Sequence, residues 1–214
     1  MVVRGPAPRE PTAEELKANP IKASAMSLRV EASKWSADGN VIVSTSALLA
    51  EKFSRLSDLA ASFGNGATPE SKLDFIRVAK EIAQDVKAVE AEARKIAKQC
   101  TDKRLADDLL ATVDRIPTIS TQLKILAMVK ASSPDDADNE LLLVQCAQNL
   151  MGAVKTTISS TQAAHLRMID SATNAESLKE HWRHQMYVGE SVSLASLMTG
   201  VTEVPATVVR SQAK

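Results

Sequence analysis

Few side chains in this sequence are spaced to do chemistry. His181 and His184 lie three residues apart, which suits two metal ligands on one helix, but no third ligand follows at a recognisable spacing. Cys100 and Cys146 have no assignable histidine partner, so we expect small apolar core residues rather than nucleophiles. The sequence also has no glycine-rich phosphate loop and no Gly-x-Ser-x-Gly elbow. We therefore predict a protein that is not an enzyme and that uses no metal and no cofactor.

A surplus of apolar residues instead suggests a binding surface. Apolar or small residues recur at alternating steps of four and three, the pattern of one buried helix face. They are Leu105, Leu109, Thr112, Ile116, Ile119, Leu123 and Leu126. Ile125, Met128 and Val129 lie outside this stripe, and the positions one and two turns before Ile125 are threonines. Such a patch either packs against another helix or faces a partner, and the residues alone leave both possibilities open.

The composition favours helices and sets limits on the partner. Aromatic residues make up only 3% of the chain and glycine accounts for 7 of its 214 residues, so long helices are favoured over a β-sandwich. Basic and acidic residues balance at 26 each, which argues against nucleic-acid binding and weakens the case for an anionic membrane surface. The sequence has neither a secretory signal nor an apolar run long enough to span a bilayer, so we predict a cytoplasmic location.

Helical periodicity and turn signals predict an all-α, antiparallel up-down bundle of five helices. The third helix is the most regular, because its apolar residues alternate steps of four and three without a miss: Phe75, Ala79, Ile82, Val86, Val89, Ala93 and Ile96. The fourth keeps its phase through Pro117, which predicts one kinked helix rather than two. Cap and turn signals bound the predicted helices: 21–36, a second capped by Asn40 that ends before Gly64, a third capped by Thr68 that runs close to Gln99, the kinked helix up to the turn at 132–136, and a fifth after that turn whose apolar repeat runs to Met168.

Three regions follow from this pattern. Residues 1–20 are predicted as a proline-rich linker or strap without regular helix before Asn19. Residues 21–170 form the bundle, and residues 171–214 are a C-terminal extension. Within the extension we expect a short helix at 175–187 that caps the bundle, followed by a flexible segment.

Four strings in this order carry a family resemblance: EASKWSADGNVI, AKQCTDKR, RIPTISTQLKIL and AQNLM. Together with their spacing they resemble the C-terminal tail domain of the vinculin family over roughly residues 19–169, and the α-catenin tail is a more distant match. The resemblance implies a five-helix bundle behind a proline-rich linker. It also implies a domain that binds actin filaments and connects adhesion complexes to the cytoskeleton, in the cytoplasm at adhesion sites or cell junctions.

The resemblance assigns a meaning to the apolar surplus. In the family the fourth and fifth helices form the actin surface, whose apolar centre matches Ile125 and Val129. On the fourth helix Met128 and Ser132 extend this surface, and on the fifth it is flanked by Leu142 and Gln145. The resemblance further implies a head domain as a partner, self-association on actin, and rearrangement of the strap and first helix; whether the head domain masks this surface stays open.

Acidic phospholipid is the second ligand that the resemblance implies, and here the sequence departs from the family pattern. Asp38 and Ala47 stand where the family has lysines, and no short basic and aromatic arm closes the C-terminus. A positive stripe remains on the third helix, formed by Lys72, Lys80, Lys87 and Arg94. It is either a weak lipid site or a solvated helix face. The alternatives to a vinculin-like actin binder are therefore an α-catenin-like junctional actin-binding domain, a membrane-surface module, and a structural bundle that docks a partner.

Overall fold

The structure is a computed structural model that describes the backbone of residues 9–37 and 39–198 and most side chains up to Met168. The predictions made for residues 1–8, for Asp38, for the side chains of His181 and His184, and for residues 199–214 lie outside the described residues. By its contacts the chain forms two units, residues 1–168 and 169–214. In the second unit the described residues, 169–198, are helical.

The described residues contain seven α-helices and no strand, which confirms the all-α prediction. The helices are α1 (Ala13–Ala18), α2 (Pro20–Ser33), α3 (Val41–Ser62), α4 (Pro69–Gln99), α5 (Lys103–Val113), α6 (Ile116–Ser132) and α7 (Ala137–Met198). A 3-10 turn, Phe63–Asn65, follows α3.

Side-chain caps begin α3 and α4 where the sequence predicts them. The Asn40 carboxamide oxygen accepts a hydrogen bond from the Val43 amide at 3.1 Å, and the Thr68 hydroxyl accepts one from the Ser71 amide at 3.1 Å. Between the two helices Gly66 has φ +98°, a left-handed conformation that glycine adopts without strain. These residues therefore fix the connection between α3 and α4.

The heptad stripe of α4 forms the centre of the first unit. Six of its seven predicted core residues are buried, namely Phe75, Ala79, Ile82, Val86, Val89 and Ala93, and the seventh, Ile96, is partly buried against the same core. The stripe packs into a single core cluster with side chains from α2, α3, α5, α6 and α7. Phe63 and Phe75 pack edge to face, with their ring centroids 5.2 Å apart.

Polar contacts give the directions of neighbouring helices. In the α3–α4 and α6–α7 pairs, the contacts approach the start of the second helix as they approach the end of the first, so both pairs are antiparallel. The contacts are Lys52–Asp85 at 2.7 Å and Arg55–Asp74 at 3.0 Å for α3–α4, and Leu126–Asn139 and Ile119–Cys146, both at 3.4 Å, for α6–α7.

A helix forms in the N-terminal segment, which the sequence analysis left without one. In α1 the Thr12 hydroxyl accepts a hydrogen bond from the Glu15 amide at 3.2 Å, and the Glu15 carboxylate accepts one from the Thr12 amide at 2.8 Å. Pro11 precedes this capping box and Pro20 is the first residue of α2, so these prolines flank the helix rather than interrupt it. The prediction of no helix before Asn19 is wrong.

The prediction of one kinked fourth helix is also wrong. Helix α5 ends at Val113 and α6 begins at Ile116, because Pro117 has no amide hydrogen and its ring would clash with the Val113 carbonyl in a continuous helix. Asp114 and Arg115 nevertheless keep right-handed helical dihedrals, with φ and ψ of −62° and −21° and of −80° and −24°. The apolar phase therefore passes through the break, and two helices occupy the place predicted for one.

The last helix is longer than predicted. We predicted an end near residue 169 and a separate short helix at 175–187, but both segments belong to α7, which continues to Met198. The sequence has no glycine or proline between Gly152 and Gly189, so no strong helix breaker interrupts it.

Candidate functional site

Five large apolar side chains are exposed near the turn that joins α6 to α7. They are Ile125, Met128 and Val129 on α6 and Leu141 and Leu142 on α7, and their exposed fractions range from 40% to 58%. We call these five residues the apolar face. Side chains of this kind and number around one helix turn are typical of an interaction surface rather than of solvated helix positions.

A groove of about 360 Å³ between α6 and α7 forms part of this face. The exposed Ile125 and Leu142 line it together with the less exposed Leu126 and Cys146. Its remaining lining residues carry carboxamides: Gln122, Gln145 and Asn149. None of the residues that line the groove is charged, so the groove suits an uncharged, partly apolar segment of a partner.

The structure brings together three of the six residues that the sequence analysis assigned to this surface. Ile125, Leu142 and Gln145 line the groove. Met128 and Val129 are exposed on α6 outside it. Ser132, the last residue of α6, is exposed and donates its hydroxyl to the Met128 carbonyl oxygen at 3.0 Å.

Leu141 belongs to the apolar face but was not predicted. It lies one helical turn before Gln145 and is 58% exposed, so it extends the apolar face toward the start of α7, outside the residues that line the groove. A signal was present in the sequence, because residues 141–144 are four consecutive apolar residues and one helix face cannot bury all four.

The cysteine in the groove is not a nucleophile. Burial raises the pKa of the Cys146 thiol to about 11, so the thiol is protonated at neutral pH. Its S–H donates to the Ile119 carbonyl oxygen at 3.4 Å. The chemistry of the groove is therefore binding rather than covalent reaction.

The four residues of the predicted basic stripe on α4 differ in their exposure and in their ion pairs. Arg94 lies 3.0 Å from Glu90 and 2.7 Å from Asp114, and hydrogen bonds to these two carboxylates raise its pKa above the ordinary value. Lys80 and Lys87 are exposed and have no carboxylate within ion-pair distance in the described part of the chain, and Lys72 is half-buried. Only the lysines of the stripe are thus available to an anionic ligand.

Among the residues that the structure describes, no helix has the length and hydropathy needed to cross a membrane. Nor do three or more of their histidine, cysteine, aspartate and glutamate side chains cluster in a way that could hold a metal ion.

Comparison with known proteins gives consistent matches. The profile described as "Vinculin family" matches residues 6–187. Vinculin from the sponge Oscarella pearsei is 40% identical over 183 residues, which are 83% of this chain and 21% of the relative. Human vinculin is 42% identical over 157 residues, which are 70% of this chain and 13% of the relative.

A solved structure of a sponge vinculin homolog superposes with a TM-score of 0.65 at 41% identity, and covers 75% of this chain and 19% of that one. The chain therefore spans about a fifth or less of these relatives.

Proposed function

Because this chain belongs to the vinculin family, we propose that its apolar face binds the side of actin filaments and links a cell-adhesion complex to the cytoskeleton. One observation carries the proposal. The five residues of the apolar face are 40–58% exposed, and two of them, Ile125 and Leu142, line an uncharged groove, in the region where the family resemblance places the actin surface. Exposed apolar side chains beside carboxamides are suited to a protein partner.

The size of the apolar face sets the strength that it can supply. Fully burying an apolar side chain contributes about 1.5–3 kcal/mol, and since these five are roughly half exposed, together they could contribute about 4–8 kcal/mol. Association with a filament loses translational and rotational freedom of comparable magnitude. The carboxamides at the groove, Gln122, Gln145 and Asn149, are therefore expected to add hydrogen bonds to the partner.

High-speed co-sedimentation with filamentous actin tests this proposal. The double variant Ile125→Ala with Val129→Ala removes the centre of the apolar face. Leu48→Ala is the matched control, since Leu48 is 54% exposed on α3 and Ile125 is 51% exposed on α6. We expect the native chain and the control to pellet with filaments, and the double variant to stay in solution with unchanged circular dichroism. A double variant that pellets like the native chain contradicts the proposal.

Acidic phospholipid is a second candidate partner, favoured by the two exposed and unpaired lysines Lys80 and Lys87. Co-sedimentation with phosphatidylserine vesicles, comparing the native chain with Lys80→Ala plus Lys87→Ala, tests this candidate separately. The relatives named above are vinculins, which supports a vinculin-like rather than an α-catenin-like domain. Masking by a head domain and self-association on filaments remain proposals that rest on the family resemblance.

A further inference from the structure

The α6–α7 turn contains a buried lysine. The Lys130 side chain is 3% exposed, although the adjacent Val129 is 40% exposed. The Lys130 ammonium donates to the Pro134 carbonyl oxygen at 2.5 Å and lies 2.9 Å from a carboxylate oxygen of Glu140. Burial of an ammonium is strongly unfavourable unless its charge is paired and its protons are hydrogen-bonded. These two contacts therefore hold Lys130 in place.

The two contacts join three parts of the chain. Lys130 lies in the last turn of α6, Pro134 in the connecting turn, and Glu140 in the first turn of α7. Other hydrogen bonds support the same junction, since the Asp136 carboxylate accepts from the Asn139 amide at 3.0 Å. Among the hydrogen bonds of the described junction, only those of the Lys130 ammonium reach from α6 to both the connecting turn and α7.

The junction separates the two halves of the apolar face. Val129 immediately precedes Lys130, and Leu141 immediately follows Glu140. A rotation of the first turn of α7 by one residue, about 100°, would move Leu142 away from the groove that it lines with Ile125, and would turn Leu141 with it. The relative phase of the two helix ends therefore decides whether these side chains form one surface.

We propose that Lys130 is a positioning residue of the apolar face, whose ammonium fixes the first turn of α7 against α6 through Glu140. The role in binding rests on the proposed function, because the positioned surface is the one assigned to the filament. Lys130 is itself buried and therefore acts through the placement of Leu141 and Leu142.

A pair of matched variants isolates the contact. Glu140→Gln removes the carboxylate charge and keeps the size of the side chain, and because Glu140 is 61% exposed the change leaves α7 solvated at this position. Asp138→Asn removes a charge from the same first turn of α7, so both variants lose a similar interaction with the helix dipole. Asp138 is exposed and has no ion pair with Lys130 among the described contacts.

Three measurements on the full chain test the proposal: amide hydrogen exchange over residues 137–147, the dissociation constant for filamentous actin, and the thermal midpoint. Relative to Asp138→Asn, we expect Glu140→Gln to exchange faster in this segment and to bind filaments about three- to tenfold more weakly. Glu140→Gln should also have the lower thermal midpoint, because the buried ammonium loses its counter-charge. Equal exchange and equal affinity in the two variants would overturn the proposal.

The outcomes also separate this proposal from the proposed function. A native chain that does not bind filaments refutes the proposed function and with it the role in binding, whereas the exchange measurement still decides whether the contact positions α7. In a folded Lys130→Met background the further change Glu140→Gln should have no additional effect on affinity, since its partner is already gone. Additive losses from the two changes would count against the contact as their common cause.

Discussion

Replacing Leu142 by alanine is expected to weaken filament binding and leave the fold nearly intact, whereas the same change at Leu143 should do the reverse. The two leucines are adjacent in α7, but Leu142 is 52% exposed in the groove and Leu143 is 1% exposed in the core. Their side chains point in directions about 100° apart around the helix. A step of one residue along α7 therefore separates a binding contribution from a folding contribution.

The magnitudes follow from these exposures. If the filament covers the exposed half of Leu142, the lost burial corresponds to about 0.8–1.5 kcal/mol, half of the value for a whole leucine. This raises the dissociation constant by about four- to thirteenfold. Truncating Leu143 leaves a cavity in the core and should lower the free energy of unfolding by about 2–5 kcal/mol.

Two assays resolve the pair. Co-sedimentation over a range of actin concentrations gives the dissociation constant, and urea unfolding followed by circular dichroism gives the free energy of unfolding. Leu143→Ala should bind like the native chain wherever its folded fraction is high. The reasoning is refuted if Leu142→Ala destabilises the protein as much as Leu143→Ala and binds filaments with native affinity, because Leu142 would then be a core residue.

Two further predictions concern other parts of the first unit. Ellman's reagent should modify one thiol of the folded protein, the half-buried Cys100, and should reach Cys146 only on unfolding. The reason is that burial raises the pKa of the Cys146 thiol to about 11. Two fast-reacting thiols would contradict this prediction. Pro117→Ala should lower the free energy of unfolding, measured in urea, by about 0.4–1 kcal/mol, because the proline restricts the unfolded chain. Pro117 lies in the first turn of α6, where an amide hydrogen is not needed. A more stable variant would show that Pro117 strains the α5–α6 junction.

The regular part of the fold was predictable because local sequence signals and the tertiary structure agree. The apolar spacing of α4 places Phe75, Ile82 and Val89 in the core, and each is buried. The caps Asn40 and Thr68 were equally readable, since a capping side chain bonds within the next three residues and needs no tertiary contact.

The break between α5 and α6 was not predictable from periodicity. Leu109, Ile116 and Leu123 are seven residues apart and all buried, so the stripe has the same phase with or without a break. Asp114 and Arg115 keep helical dihedrals between the two helices, so the direction of the side chains does not change across the break. The N-terminal helix was a different case, because the Thr12 and Glu15 capping box is readable in the sequence. The prolines on either side of it do not prevent a helix between them.

The candidate site was predictable only in part. Ile125 and Val129 stood out because they lie outside an otherwise regular stripe, and their exposure agrees with that observation. The apolar run 141–144 was the signal for Leu141, whereas Lys130 had none, because its burial depends on how the α6–α7 turn orients α7. A contact across ten residues, from the Lys130 ammonium to Glu140, determines that orientation and has no periodic signature.

The absence of charged residues from the lining of the α6–α7 groove has a consequence for kinetics. A partner that enters such a groove is not drawn in by long-range attraction, so we expect an association rate constant of about 10⁵–10⁶ M⁻¹s⁻¹ that changes little with ionic strength. A lipid surface held by Lys80 and Lys87 would respond in the opposite way, since salt screens exposed charges. If both ligands bind, a rise in ionic strength alone would shift this chain from the membrane toward the filament.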